Sequence, residues 1–525
     1  MNFSVLNDLE NSAEVLEHKI AITFEDSTLS FGGLCSKAKA TACALIDLGV
    51  QPGDRVGICM KKSTEQIVTI LGVLYSNAIF VPILPSLKRQ SISHIVSNSG
   101  MIAVITDSNR LSEVAYLENQ IKIFVGNGDL TEAYPNLQYI SHHIEPQFLK
   151  PFSRLGIDVA AIIYSSGSTG MPKGIMISHR NFYDGARITS DYLDTRESDR
   201  IACILSFNFD YGLNQLWQSL LKGCSLYLHE LIMPNDCFNF LNKNQITVLP
   251  LMPAIMSRLF DSRLIQTEYL YDFRCVRYIC SSGGRLSNTM LSNVSKFFPE
   301  ALMYSMYGLT EAFRSTYLHP SALKQRPNSI GKAIPEVEIL VLNDLGKKCA
   351  PGVEGELVHR GGCIALGYWN DIVKTKERFR THPLFPGEIL VYSGDLVVKD
   401  QEGFISFIGR NDEMLKNNGV RISATEIEMA VDSNPNISEV VVFGIDNIEV
   451  GHDIVVVYTS NDSQPLNLPT LKRFLKDSLA SHMLPKYIVH QESFPSTGNQ
   501  GKIDIVTVRE RALISLGINS QGLSK

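Results

Sequence analysis

The stretch Tyr164-Ser-Ser-Gly-Ser-Thr-Gly-Met-Pro-Lys-Gly174 decides the reading of this chain. Apolar Val159 to Ile163 precedes it and predicts a buried strand. Gly167, Gly170 and Gly174 let a backbone approach an anion closely and adopt positive φ. The hydroxyls of Ser166, Ser168 and Thr169 and the cation of Lys173 add donors suited to phosphate oxygens. The Gly-Lys-Ser/Thr ending of a Walker A loop is missing, so this is a different phosphate loop. A Gly/Ser surface turn is the plain alternative; a buried strand before it and a Pro-Lys-Gly ending speak against it.

Outward from this loop, helix and strand patterns alternate. Leu34 to Leu48 carries Leu34, Ala38, Ala42 and Leu45 on one face, and the turn Gly49 to Gly53 ends it. Strand Val56–Cys59, helix Glu65–Tyr75, strand Ile79–Val81, helix Ile92–Asn98 and strand Ile102–Ile105 follow. Such alternation predicts α/β layers with largely parallel sheet. Beyond about Pro335 short strands and Gly turns take over, as at Val337–Leu342 and Gly355–His359. A last section reads as helix Ala424–Val431, strands Glu439–Gly444 and Asp453–Tyr458, and helix Leu468–Ser478.

The loop resembles the T-S-G-S-T-G-x-P-K-G signature of the adenylate-forming superfamily (acyl-CoA synthetases, amino-acid adenylation domains and luciferases), with Ser165 in place of the usual Thr. Further motifs stand in the family's order. They are Tyr307-Gly-Leu-Thr-Glu311, Gly355-Glu-Leu-Val-His-Arg-Gly361 with Gly367-Tyr-Trp, Ser393-Gly-Asp395, and Gly409-Arg-Asn-Asp412 with Lys416 and Gly419-Val-Arg421. The resemblance implies an α/β fold. A large N-terminal domain of stacked mixed sheets with helices and a small β-region (1–408) would be followed by a hinge (409–412). A small, mobile α+β C-terminal domain (413–525) would complete it. A softer likeness is to ligases of bacterial polysaccharide and secondary-metabolite loci.

The same resemblance implies the roles. Ser165 to Gly170, Lys173, Gly283, Tyr307, Asp395 and Arg410 would bind nucleotide, with Tyr307 against adenine and Asp395 accepting both ribose hydroxyls. Thr310 would meet the α-phosphate, and Glu311 with Thr169 would hold Mg²⁺, which prefers oxygen ligands. Lys502, in Thr497-Gly-Asn-Gln-Gly-Lys-Ile-Asp504, resembles the lysine that reaches the reacting carboxylate, although one residue more than the family pattern stands between Pro495 and Gly501. A lysine about 4 Å from a developing negative charge contributes about 4 kcal/mol at an effective dielectric near 20, roughly a thousandfold in rate. Asp412 would be the pivot, and Gly419 would leave room for a pantetheine arm. The expected reaction joins a carboxylic acid to a thiol at the expense of ATP, through an acyl-adenylate.

Phe207-Asn-Phe-Asp210-Tyr-Gly-Leu-Asn214 occupies the acid-pocket position of the family. Asp210 could pair a substrate ammonium or be satisfied by nearby backbone. Tyr211 would line the same pocket. Arg314 could clamp a second carboxylate or pair with Asp210. The thiol acceptor would be CoA or a phosphopantetheinyl carrier protein, and a non-catalytic nucleotide-binding protein is the remote rival.

Composition narrows the remaining classes. In 525 residues, 44% are apolar and 19% charged, which suits a globular chain with a sizeable core. The net charge of −6 supplies no basic field for nucleic acid. Ten scattered cysteines without C-x-x-C spacing read as reduced thiols of a cytoplasmic enzyme. Met1 to Lys19 lacks the pattern of a signal peptide. The apolar run Ile67 to Pro85 is interrupted by Ser76, Asn77 and Pro82, and reads as a buried helix and strand rather than a membrane span.

Overall fold

The computed structural model describes residues 4–84, 87, 89–127, 138–139, 155–165, 172–260, 271–411, 414–417, 420–447, 451–497 and 502–518. The phosphate-loop residues Ser166, Gly167, Ser168, Thr169 and Gly170, together with Asp412 and Gly419, lie outside these. Of Lys502 only the backbone strand is described.

Two sheets build the large body. The first has seven strands, and its parallel part contains Arg55–Cys59, Ile79–Pro82, Ala103–Asp107 and Lys122–Asn127. Val159–Ser165 continues it beside Ile79–Pro82, and Lys173–Ser178 turns back antiparallel. The second has fourteen strands among the described residues and changes character along its width. Arg200–Cys203, Ser225–Leu228, Val248–Leu251, Tyr278–Ser281 and Leu302–Leu309 run parallel. From Ala312–Leu318 onward the neighbours are antiparallel, the part read from the sequence as short strands and Gly turns after Pro335.

The helix Thr64–Tyr75 is buried along its whole length, which explains its unbroken apolar run. It packs on Phe31–Asp47 so closely that a Cβ on Gly72 would lie 2.5 Å from Thr41 Cγ2. No helix among the described residues is long and apolar enough to cross a membrane. The ten cysteines are unpaired, eight of them buried.

The C-terminal section has its own core. The hairpin Ile437–Asn447/Gly451–Ser460 carries helices Ala424–Asp432 and Leu468–Ser478 on one face, where Ile427, Val442, Val456 and Leu471 meet. Helix Ile505–Ser515 covers the other face through Val508 and Leu513. The strand Ile405–Arg410 of the large sheet runs through Gly409 and Arg410, inside the expected hinge. Among the contacts that join this section to the large body, Arg285 Nη2 pairs with buried Asp432 Oδ2 at 2.6 Å, and Ser423 Oγ donates to the Ile408 carbonyl.

Candidate active site

Both ends of the phosphate-loop motif are anchored. Ser165 closes one strand and Lys173 opens the next, directly opposite each other in the hairpin. The segment 363–369 then ties this hairpin to the Thr310-Glu311 turn. Met176 N–H donates to Gly367 O (2.9 Å), and Trp369 N–H to Gly174 O (2.7 Å). On the other side Ala365 N–H donates to Glu311 O and Phe313 N–H to Cys363 O, both at 3.0 Å. Tyr368 is the product of this lacing. Its hydroxyl donates to Glu311 Oε1 at 2.7 Å, and its ring centroid lies 5.9 Å from Lys173 Nζ. Lys173 and Glu311, far apart in sequence, thus flank one tyrosine whose role the Gly-Tyr-Trp pattern does not reveal.

Thr310 and Glu311 form the tip of the hairpin Leu302–Leu309/Ala312–Leu318. The hairpin can be this tight because Gly308 has no side chain: a Cβ there would lie 2.7 Å from Arg314 N.

Tyr307, on the first strand of that hairpin, donates its hydroxyl to Asp395 Oδ2. Burial, then the Asp395 charge, push this phenol well above its ordinary range. Asp395 Oδ1 accepts from Arg410 Nη1 at 3.3 Å, the two residues being register partners on adjacent strands. The Gly355-Glu-Leu motif supports the Ser-Gly-Asp motif from below: Glu356 Oε1 accepts from Gly394 N–H (2.8 Å), and Leu357 O accepts from Ser393 Oγ (2.6 Å). His359, from the same strand, stacks on Tyr307 with ring centroids 6.2 Å apart. Neither of its ring nitrogens has a hydrogen-bond partner, and burial, helped by Arg378, pushes its pKa down to about 3. Gly283 sits at φ 87° in the loop after Tyr278–Ser281, against Met252.

Asp210 opens the helix Asp210–Lys222, and its Oδ1 accepts the Tyr211 N–H at 2.9 Å. Backbone therefore satisfies one carboxylate oxygen, while burial raises the pKa and Arg314 opposes the rise. Tyr211 is fixed by its hydroxyl, which donates to Cys280 O at 2.8 Å. Arg314 is 3% exposed, at φ 51°, with its guanidinium carbon 3.9 Å from the Tyr211 ring centroid. Asp210 and Arg314 form no ion pair within 4.0 Å; ring stacking takes the place of the pairing that the sequence left open.

Residues 9–369 match the AMP-binding enzyme family, and residues 426–501 match the AMP-binding enzyme C-terminal domain. The chain belongs to the AMP-binding enzyme family. Tyrocidine synthase 1 of Brevibacillus parabrevis is 31% identical over 94% of this AMP-binding enzyme and 44% of the relative. Gramicidin S synthase 2 of Aneurinibacillus migulanus is 29% identical over 94% and 11%. The chain thus spans less than half the length of either relative. Among solved structures, ATP-bound MatB from Rhodopseudomonas palustris superposes with a TM-score of 0.85 at 24% identity, covering 97% of this chain and 99% of that one. The anthranilate CoA ligase AuaEII in complex with anthranoyl-AMP gives 0.86 at 22%, covering 98% of each. At these identities the structural likeness shows the fold.

Proposed function

We propose that this AMP-binding enzyme is an AMP-forming acid–thiol ligase acting on a small polar or amino-substituted acid. The convergence of Lys173, Tyr368 and Glu311 beside the Tyr307–Asp395–Arg410 cluster carries this reading. Cation, carboxylate and hydroxyl groups there match the phosphates, ribose and ring of ATP.

In this reading Asp395 accepts the ribose hydroxyls, Arg410 stands beside the same sugar, and Tyr307 lies against adenine. Thr310 meets the α-phosphate. Glu311 keeps one carboxylate oxygen outside its bond to Tyr368, a donor of the hard kind that Mg²⁺ prefers, and Thr169 would complete the pair. Bound there, Mg²⁺ would neutralise charge on the departing diphosphate. A substrate carboxylate oxygen attacks the α-phosphorus, the bond to the β-phosphate oxygen breaks, and diphosphate leaves. Lys502 stabilises the charge that develops, so positioning and electrostatics supply most of the rate. A thiolate sulfur then attacks the acyl carbon, and AMP departs with the bonding electrons. The C-terminal section would rotate about Asp412 between the steps, exchanging Lys502 for the loop around Gly419.

Two thiols compete as acceptor. Anthranilate CoA ligase among the structural neighbours favours CoA. The tyrocidine and gramicidin S synthases among the relatives favour a phosphopantetheinyl carrier protein. Offering both acceptors to enzyme charged with ATP, Mg²⁺ and an acid, and following thioester and AMP, separates them. Thioester formation on CoA alone fixes the first reading. AMP release without thioester on either acceptor contradicts the ligase.

A further inference from the structure

Among the described residues of the candidate site, Arg314 carries a buried charge without a hydrogen-bonded partner. Its Nε and Nη2 are buried and have no hydrogen-bond partner. A guanidinium carries five N–H donors and no acceptor, so each buried N–H asks for a partner. The rings of Tyr211 and Phe313, with centroids 3.9 and 4.9 Å from the guanidinium carbon, attract its charge but leave its N–H groups unanswered.

The arrangement is also held in place. Tyr211 is tied to Cys280 O. Phe313 lies in a gap left by Gly185, where a Cβ would come within 2.5 Å of the Phe313 ring. Arg314 itself occupies the left-handed region, uncommon for a side chain of this size, on the strand that leaves the Thr310-Glu311 tip. A residue kept buried, rigid and unpaired beside a reaction centre is the pattern of a preset ligand contact.

We infer that Arg314 is a specificity-determining residue that receives a second carboxylate on the acid substrate, distinct from the carboxylate that is adenylated. A planar carboxylate matches the guanidinium fork and can take two parallel hydrogen bonds. Asp210, one oxygen of which is already engaged, remains for an amino group where the acid has one. This inference rests on the adenylating reading above.

The test is ATP–diphosphate exchange with matched acids that differ only in the second carboxylate: succinate against butyrate, glutarate against pentanoate, L-aspartate against L-asparagine and L-glutamate against L-glutamine. The enzyme should favour the doubly acidic member of an active pair by at least about a hundredfold in kcat/KM, and by up to about ten-thousandfold, the scale on which sites built for a polar group reject analogues lacking it. Arg314→Met should erase that preference while leaving KM for ATP within about threefold, and Arg314→Lys should restore part of it. A wild-type preference for singly acidic substrates, in this panel or outside it, overturns the inference. So does an Arg314→Met loss that is equal for both members of a pair or that falls on KM for ATP, which would make the residue structural or a phosphate contact. If no acid of any kind supports exchange, the adenylating reading fails first.

Discussion

Two ends of one hairpin treat buried charge in opposite ways. At Tyr307 the hydroxyl, the Asp395 carboxylate and the Arg410 guanidinium engage one another, and Glu356 and Leu357 brace the strand that presents Asp395. At Arg314, seven residues later, a guanidinium is enclosed by rings and leaves two nitrogens without acceptors. On the proposed reading the first end is held in place before ligand arrives, as suits a nucleotide common to every turnover. The second is left incomplete, as suits a region whose partner arrives with the variable substrate. In that reading, preorganisation and selectivity would lie on the two sides of the same turn.

The largest expected effect concerns the step that joins the two ends. Lys502→Ala should lower adenylation roughly a thousandfold, the equivalent of about 4 kcal/mol. It should spare thioester formation from a pre-made acyl-adenylate. Rapid-quench assays of the separate half-reactions check this, and equal losses in both would contradict the exchange of Lys502 for the Gly419 loop.

Stability should divide the ends more directly. Asp395→Ala removes a buried acceptor shared by two half-buried donors and should destabilise the protein by about 2–3 kcal/mol in chemical denaturation. Arg314→Met, of similar volume and without charge, should leave stability within about 1 kcal/mol or raise it, because no ion pair is lost and a buried unpaired charge is removed. If Arg314→Met proved the more damaging, the contrast would be reversed.

Two smaller effects sharpen the picture. Asp210→Ala should raise KM for an amino-acid substrate several-fold more than KM for ATP in steady-state kinetics; an unchanged KM would remove the ammonium assignment. His359 offers a pH test beneath Tyr307. Unfolded, it takes a proton near its ordinary pKa of about 6.5, whereas folded it resists protonation down to about 3. The unfolded state therefore binds more protons in that window, and stability falls as pH drops through it. Denaturation at pH 7 and pH 5 should differ less, by roughly 1–2 kcal/mol, in His359→Phe than in the wild type.

Much of this was legible before the fold was known. The strand expected at Val159–Ile163 runs from Val159 to Ser165, and the helix expected at Glu65–Tyr75 begins one residue earlier. Local periodicity and turn residues carry that information. The motifs that the family resemblance singled out are brought together at the Thr310-Glu311 turn and around Asp395, although most of the expected phosphate loop, Asp412 and Gly419 lie outside the described residues. What stayed hidden depends on contacts between distant segments. Tyr368 reaches Glu311 only because its segment bridges the Lys173–Ser178 strand. His359 meets Tyr307 across strands of one sheet. Whether Arg314 pairs with Asp210 turns on the placement of a helix start against a strand, and ring stacking on Tyr211 decided it. None of these leaves a periodic trace.

Nucleotide chemistry at the Lys173–Glu311 junction is the claim on which the rest stands. Purified protein with ATP, Mg²⁺ and a broad panel of acids, followed by simultaneous detection of diphosphate and AMP, tests it most directly. Acid-dependent diphosphate release that is lost in Lys502→Ala is the expected result. ATP left intact with every acid, by protein shown to be folded, would contradict it.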